Sequence, residues 1–314
     1  MNRSLLAGIG IVLIVSCNAS RDDENDGPVP VIDGEFWRVA SAPDLDSLNG
    51  DAPDRQHVVD HGFVKDINNN WQLWACIRGT HVGRLFFGWE GTKLSDGEQW
   101  REKGIVARAS PEWGEQVNNH VEQIQAPFFL RISDTWYCFY NSAGIRVMTS
   151  DDGITFERPR LKNGSNILYE QGGRDVMIMM EDSLYYAYST VSTIAQDGWL
   201  RGFVILRTSE NLTNWSDYTI VSEGGRAGNG AVSAESPFVL KYGEYYFLFR
   251  SSSSTGTTFV YRSKSPYDFG VNTDEKLIAE LPVWAPELIV DEGQWYISDI
   301  ADFKGVKLAK LKWQ

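Results

Sequence analysis

The chain has 314 residues, 13% of them aromatic, with 42 acidic against 29 basic side chains and a formal net charge of −13. That length supports one large core, and all-β domains of this size often stay undivided. The charge excludes nucleic acid as a natural partner, because phosphate binding needs clustered Lys and Arg. It also disfavours a strongly anionic polymer, although a local basic pocket would override the net charge.

In chain order, the first element is a sorting signal over residues 1–16. Arg3 is followed by an apolar run from Leu5 to Val15. This run is too short to span a bilayer, which takes about 20 apolar residues. Val15-Ser16-Cys17 resembles a bacterial lipobox, which implies cleavage before Cys17 and lipidation of its sulfur. Residues 17–34 are polar and acidic and read as a flexible tether. The expected location is therefore the cell envelope, with the protein exported and touching the membrane only through the lipid.

Residues 35–314 contain one phrase five times. Each copy has an anchor, an apolar strand, a polar turn and a strand rich in Trp and Tyr. The copies start at Asp60, Ala126, Asp175, Ser236 and Ala285, and each reaches its first aromatic or apolar partner strand 9 to 11 residues later. A second phrase, a strand ending in a Ser-containing turn, follows at Arg146–Gly153, Val204–Asn211 and Phe259–Pro266, leading to Phe156, Trp215 and Phe269. Four short strands per unit, repeated at roughly 50 to 65 residues, predict an all-β five-bladed β-propeller with four antiparallel strands per blade. The fifth copy runs out near Trp313 one strand short. The segment around Phe36–Ala40 is predicted to complete that blade and close the ring.

First strands line the central channel of a propeller, so equivalent anchors converge at one mouth. Two anchors are Asp60 and Asp175, and Glu235 immediately precedes a third. Carboxylates brought together repel and raise one another's pKa. Stability alone would not select them, but hydrolysis of a glycosidic bond needs one protonated and one ionised carboxyl. Arg174 is placed to hold a sugar hydroxyl or to pair with Asp175. His61, His120, Gln125 and Trp284 are further candidates for binding sugar. Trp89, Trp113 and Trp199 lie in or near expected loops, while most other tryptophans read as inter-blade core. Asp151-Asp152-Gly153 reads as a turn with Asx-type bonding. Cys76 and Cys138 each follow a strand aromatic and read as buried thiols, and no metal spacing is present.

Asp60, Arg174-Asp175 and Glu235-Ser236-Pro237, in this order on blades one, three and four, resemble the five-bladed glycosidases of family 43 and relatives in families 32, 62 and 117. The sequence departs from that pattern at His61, where Pro is frequent. The resemblance implies that Asp60 is the general base, Asp175 the residue tuning the acid's pKa and Glu235 the general acid. It implies an exo-acting, inverting hydrolase of plant or algal oligosaccharides with no required cofactor. A central structural cation such as calcium is compatible with it, with His61 or His120 nearby. The competing expectation is a non-catalytic carbohydrate-binding lipoprotein that keeps the aromatic platforms without the acid and base. A structural or protein-binding propeller would bind no sugar at all.

Overall fold

The computed structural model describes residues 27–171 and 173–314. The signal segment, Cys17 and most of the tether lie outside the described residues. Five antiparallel four-stranded units are present. Blade one runs His57–Lys65, Trp71–Thr80, Gly83–Gly91 and Trp100–Ala107, and blade two runs Gln125–Ile132, Thr135–Asn141, Ile145–Ser150 and Ile167–Tyr169. Blade three comprises Arg174–Glu181, Leu184–Ile194, Leu200–Ser209 and Thr219–Glu223. Blade four comprises Glu235–Tyr242, Tyr245–Ser252, Thr257–Ser263 and Leu277–Leu281. A two-stranded ribbon, Val117–Asn118 and Val121–Glu122, is attached to blade one through a parallel pairing at Gly83.

Blade five is assembled from both ends of the chain. Leu288–Asp291, Gln294–Asp299 and Gly305–Trp313 are completed by Pro30–Ser41. The ladder runs from Pro30 opposite Trp313 to Ser41 opposite Gly305, as the incomplete fifth repeat predicted. Residues 30–34 therefore belong to the propeller and not to the tether. Pro30 is buried and Ile32 packs against the core, while Asp33 and Gly34 stay exposed. Gly305 cannot carry a side chain here: its φ is +134° and a Cβ would lie 1.9 Å from the Ala40 carbonyl oxygen.

The core lies between blades. Second strands supply its largest buried side chains, including Trp136, Tyr140, Tyr188, Phe247 and Phe249. Trp136 packs against the blade-one residues Val64 and Trp74 and donates its Nε1 hydrogen to the Lys65 carbonyl at 2.7 Å. Between blades four and five, Tyr242 stacks on Trp313 with ring centroids 4.3 Å apart. Cys76 and Cys138 are buried free thiols. The turn after Ser150 is Asx-bonded, Asp152 Oδ1 accepting from the Ile154 and Thr155 amides at 2.7 and 2.8 Å. Asn211 does the same in blade three for Thr213 and Asn214.

Removing Pro30–Ser41 would leave Gly305–Trp313 as an exposed edge and open the ring. A chain starting at Ala42 is expected to aggregate or to lose cooperative thermal unfolding by circular dichroism. An unchanged cooperative melt would show that closure contributes nothing.

Candidate active site

Every anchor has the same unusual backbone. Asp60, Ala126, Asp175, Ser236 and Ala285 have φ of 39°, 57°, 56°, 44° and 48°. Left-handed backbone is costly for residues with a Cβ. Ladder registers break at the anchors of blades one to four, between Val59 and His61, Gln125 and Phe128, Arg174 and Met177, and Glu235 and Phe238. Each of these four anchors is therefore a bulge that re-aims a side chain at the strand's start. With Ala285, which precedes the first strand of blade five, they build one funnel lined by Asp60, His61, Ala126, Asp175, Ser236, Ala285 and Glu287, among others. Phe128, Val176 and Met177 narrow it, and the cavity enclosed is about 20 Å³, room for about one water.

Asp60, Asp175 and Glu235 are brought together. Ser236 joins two of them, its amide donating to Asp175 Oδ2 at 3.2 Å and its hydroxyl to Asp60 Oδ1 at 3.3 Å. Arg174 forks onto Glu235, Nη2 to Oε1 at 2.5 Å and Nε to Oε2 at 3.3 Å. Its Nε is also 3.8 Å from Asp175 Oδ2. Arg174 thus pairs chiefly with Glu235 and only secondarily with Asp175. Ser192 and the Ala231 carbonyl hold the rest of the guanidinium at 3.0 Å each.

The surroundings disfavour charge on the inner carboxyls. Burial raises Asp60, and the charge of Glu235 adds to this, against opposing fields from Arg84 and Arg78. Burial raises Asp175 well above the ordinary aspartate range, reinforced by Asp60 and Glu235 and opposed by Arg174. Burial likewise raises Glu287, with Asp60 adding to it. Asp60, facing two arginines, is thus the better place for a negative charge, and Asp175 for a shared proton.

Glu287 is the residue that sequence reasoning missed. It stands two positions after Ala285, where the next inward side chain of a strand falls. The equivalent positions are Gly62, Phe128, Met177 and Phe238, so a lone carboxylate among apolar partners was the available signal. His61 is buried and shares a 2.7 Å hydrogen bond, Nε2 to Ser298 Oγ, while Nδ1 has no partner. Burial pulls its pKa down to about 3, so it is neutral at working pH. Among the described residues no group of three His, Cys, Asp or Glu side chains is arranged for a metal. One imidazole nitrogen is too small a donor set for calcium, which takes about 6–8 oxygens. No step below depends on a cation.

The other candidates are dispersed. Gln125 lies opposite Asn141 at the mouth end of blade two and is absent from the funnel wall. His120 is exposed at the turn of the small ribbon, also off the wall. Trp284 sits in an adjoining cleft and not over the carboxylates. Trp89 is buried core, whereas Trp199 is 74% exposed in a hairpin turn of blade three. Trp113 lies in a short 3-10 turn, with Arg160 over its ring.

No family model matches the sequence, and no curated protein matches it. Solved structures do. A thermostable family-43 glycoside hydrolase superposes with a TM-score of 0.59 at 14% identity, covering 84% of this chain and 91% of the other. A family-43 enzyme from Xanthomonas citri complexed with xylotriose gives 0.56 at 14%, covering 82% and 87%. A family 117 glycoside hydrolase of Zobellia galactanivorans gives 0.56 at 11%, covering 89% of each chain. The chain has the fold of these propellers. At such identities the likeness concerns architecture and leaves chemistry to the site itself.

A carboxyl with a raised folded-state pKa binds its proton more tightly in the folded protein. It stabilises the fold at pH below its unfolded value, and that contribution is lost as pH rises through the folded value. Glu287→Gln is therefore expected to stabilise the domain at mildly alkaline pH and to change little at pH 4. Thermal melts of both proteins at the two pH values check this. Equal effects at both would mean that Glu287 is not held protonated.

Proposed function

We propose that the protein is a glycoside hydrolase of plant or algal oligosaccharides, with Asp60 as base, Asp175 as the residue tuning the acid and Glu235 as general acid. The observation that carries the reading is that Asp60 and Asp175 line one narrow funnel, joined by Ser236, while Glu235 stands next to Ser236, paired with Arg174 and close enough for its charge to act on both. The sugar complex of the Xanthomonas citri propeller supports a short oligosaccharide as ligand. The narrow base favours a chain end over a chain threading the ring, hence exo action.

In this reading the terminal sugar sits above Asp60 and Asp175. Asp60 must be ionised to act as base; the fields of Arg84 and Arg78 favour this against burial and Glu235, and it takes a proton from the attacking water. Asp175, 3.8 Å from Arg174 Nε, shares that guanidinium with Glu235, and this is the route by which its charge state would reach the acid. Glu235 must take up a proton from solvent as the sugar's leaving oxygen displaces one of its Arg174 contacts; it then gives that proton to the leaving oxygen while Asp60 gains one from the attacking water, and release of that proton to solvent resets the site. Inversion requires a base–acid separation of about 6.5–9.5 Å, which admits the water. The Arg174 fork also favours a second reading, a non-catalytic sugar-binding propeller in which Glu235 is a fixed acceptor. For sorting, Cys17 is proposed as the lipid anchor, on the lipobox sequence.

Glu235→Gln should lower hydrolysis of oligosaccharides with poor leaving groups by about 10²–10⁴-fold while sparing sugar binding. Monosaccharide release, with binding followed by calorimetry, measures both. Equal turnover by the variant would remove Glu235 as acid, and binding without turnover by either protein would select the second reading. Asp175→Asn should lower activity and move the basic limb of the pH–rate profile; an unchanged profile would place Asp175 outside the chemistry.

A further inference from the structure

Beside the funnel, blades four, five and one enclose a second cleft of about 370 Å³. Trp284 and Phe303 come from blade five, Arg78 from blade one, and Val232 and Ser253 from blade four. It opens on the same face as the carboxylates. Trp284 directly precedes the Ala285 anchor. Arg78 pairs with His57 three residues before Asp60, and Ser253 follows the strand that carries Ser251 opposite Glu235.

The cleft is built, not incidental. Phe303 has φ +57°, rare for a bulky side chain. It is fixed by its amide donating to the Ile300 carbonyl and its carbonyl accepting from the Val58 amide, both at 2.9 Å. Its ring stacks on His57 at 4.8 Å, meets Trp284 edge-on at 5.0 Å and lies under the Arg78 guanidinium at 5.3 Å. Trp284 Nε1 is buried and without a hydrogen-bond partner. Arg78 is the one charge on the wall, and among the described residues it meets no carboxylate within ion-pair distance; its Nη2 and Nε lie 3.0 and 3.3 Å from His57 Nδ1.

We propose that this cleft is a subsite for an acidic sugar, the ring lying against Trp284 and Phe303 and a carboxylate or sulfate ester meeting Arg78. Aromatic rings offer the apolar face that a pyranose stacks on, and the guanidinium fork matches both anions bidentately. Net acidity does not forbid this, since salt screens charges beyond about 8–10 Å. The proposal deepens the glycosidase reading by naming a substrate class, and rests on it only for where the scissile bond lies.

The test is calorimetric binding to the otherwise intact Glu235→Gln protein, using two matched pairs. These are cellobiouronic acid against cellobiose, and neocarrabiose 4-sulfate against neocarrabiose. The acidic member of at least one pair should bind about tenfold tighter or more, and which pair does so tells carboxylate from sulfate. The preference should shrink with added salt, disappear in Arg78→Gln and be largely kept in Arg78→Lys, while Phe303→Leu weakens both members alike. Equal binding within both pairs, no binding of any of the four, or a preference that survives Arg78→Gln would overturn the proposal. A wild type that hydrolyses no glycoside yet keeps the preference would sink the hydrolase reading alone. Hydrolysis of neutral glycosides with no preference would sink the acidic subsite alone.

Discussion

Mutual repulsion among buried carboxyls is the constraint around which this propeller is arranged. Asp60, Asp175 and Glu287 all face the narrow funnel, and burial pushes each of them upward. Their company is tolerable because the surroundings divide the charge unequally. Arg174 is committed to Glu235, two arginines act on Asp60, and Ser236 ties Asp60 to Asp175. An asymmetric set of this kind is what acid–base chemistry on a glycosidic bond requires.

The backbone bears part of the cost. Left-handed conformations at five non-glycine anchors are held by the ladder bonds that resume immediately after each bulge. At Ala126 and Ala285 the same left-handed backbone carries no polar group, so the conformation belongs to the repeat and the carboxylate was placed on it. Rigid anchoring on strands, rather than on loops, keeps side chains from different blades in fixed relation.

Much of this was legible in the sequence because a propeller writes its geometry as a repeat. Anchor spacing identified the blades, the short fifth copy required a closing strand from the N-terminal side, and the anchors named the converging carboxyls. Where the reading fell short, the cause is physical. Glu287 was overlooked because only anchors were compared, although the two-residue strand period makes the next inward position equally visible. The start of the closing strand was hidden because the exposed Asp33 and Gly34 separate Pro30–Ile32 from the aromatic segment that begins at Phe36. Arg174 was placed beside Asp175 by proximity in sequence, whereas its length carries it across to Glu235 on the next blade. Phe303 had no sequence signal, since its place over His57 depends on a loop conformation.

Burial holds a proton on Asp175 and Glu287 to higher pH than on ordinary carboxyls. Carbon-13 NMR of the aspartate and glutamate carboxyls, titrated from acid to alkaline pH, tests this most directly. An aspartate resonance that titrates well above the ordinary range and is absent from Asp175→Asn is predicted, with a glutamate resonance likewise absent from Glu287→Gln. Complete ionisation of every carboxyl by mildly acidic pH would contradict it.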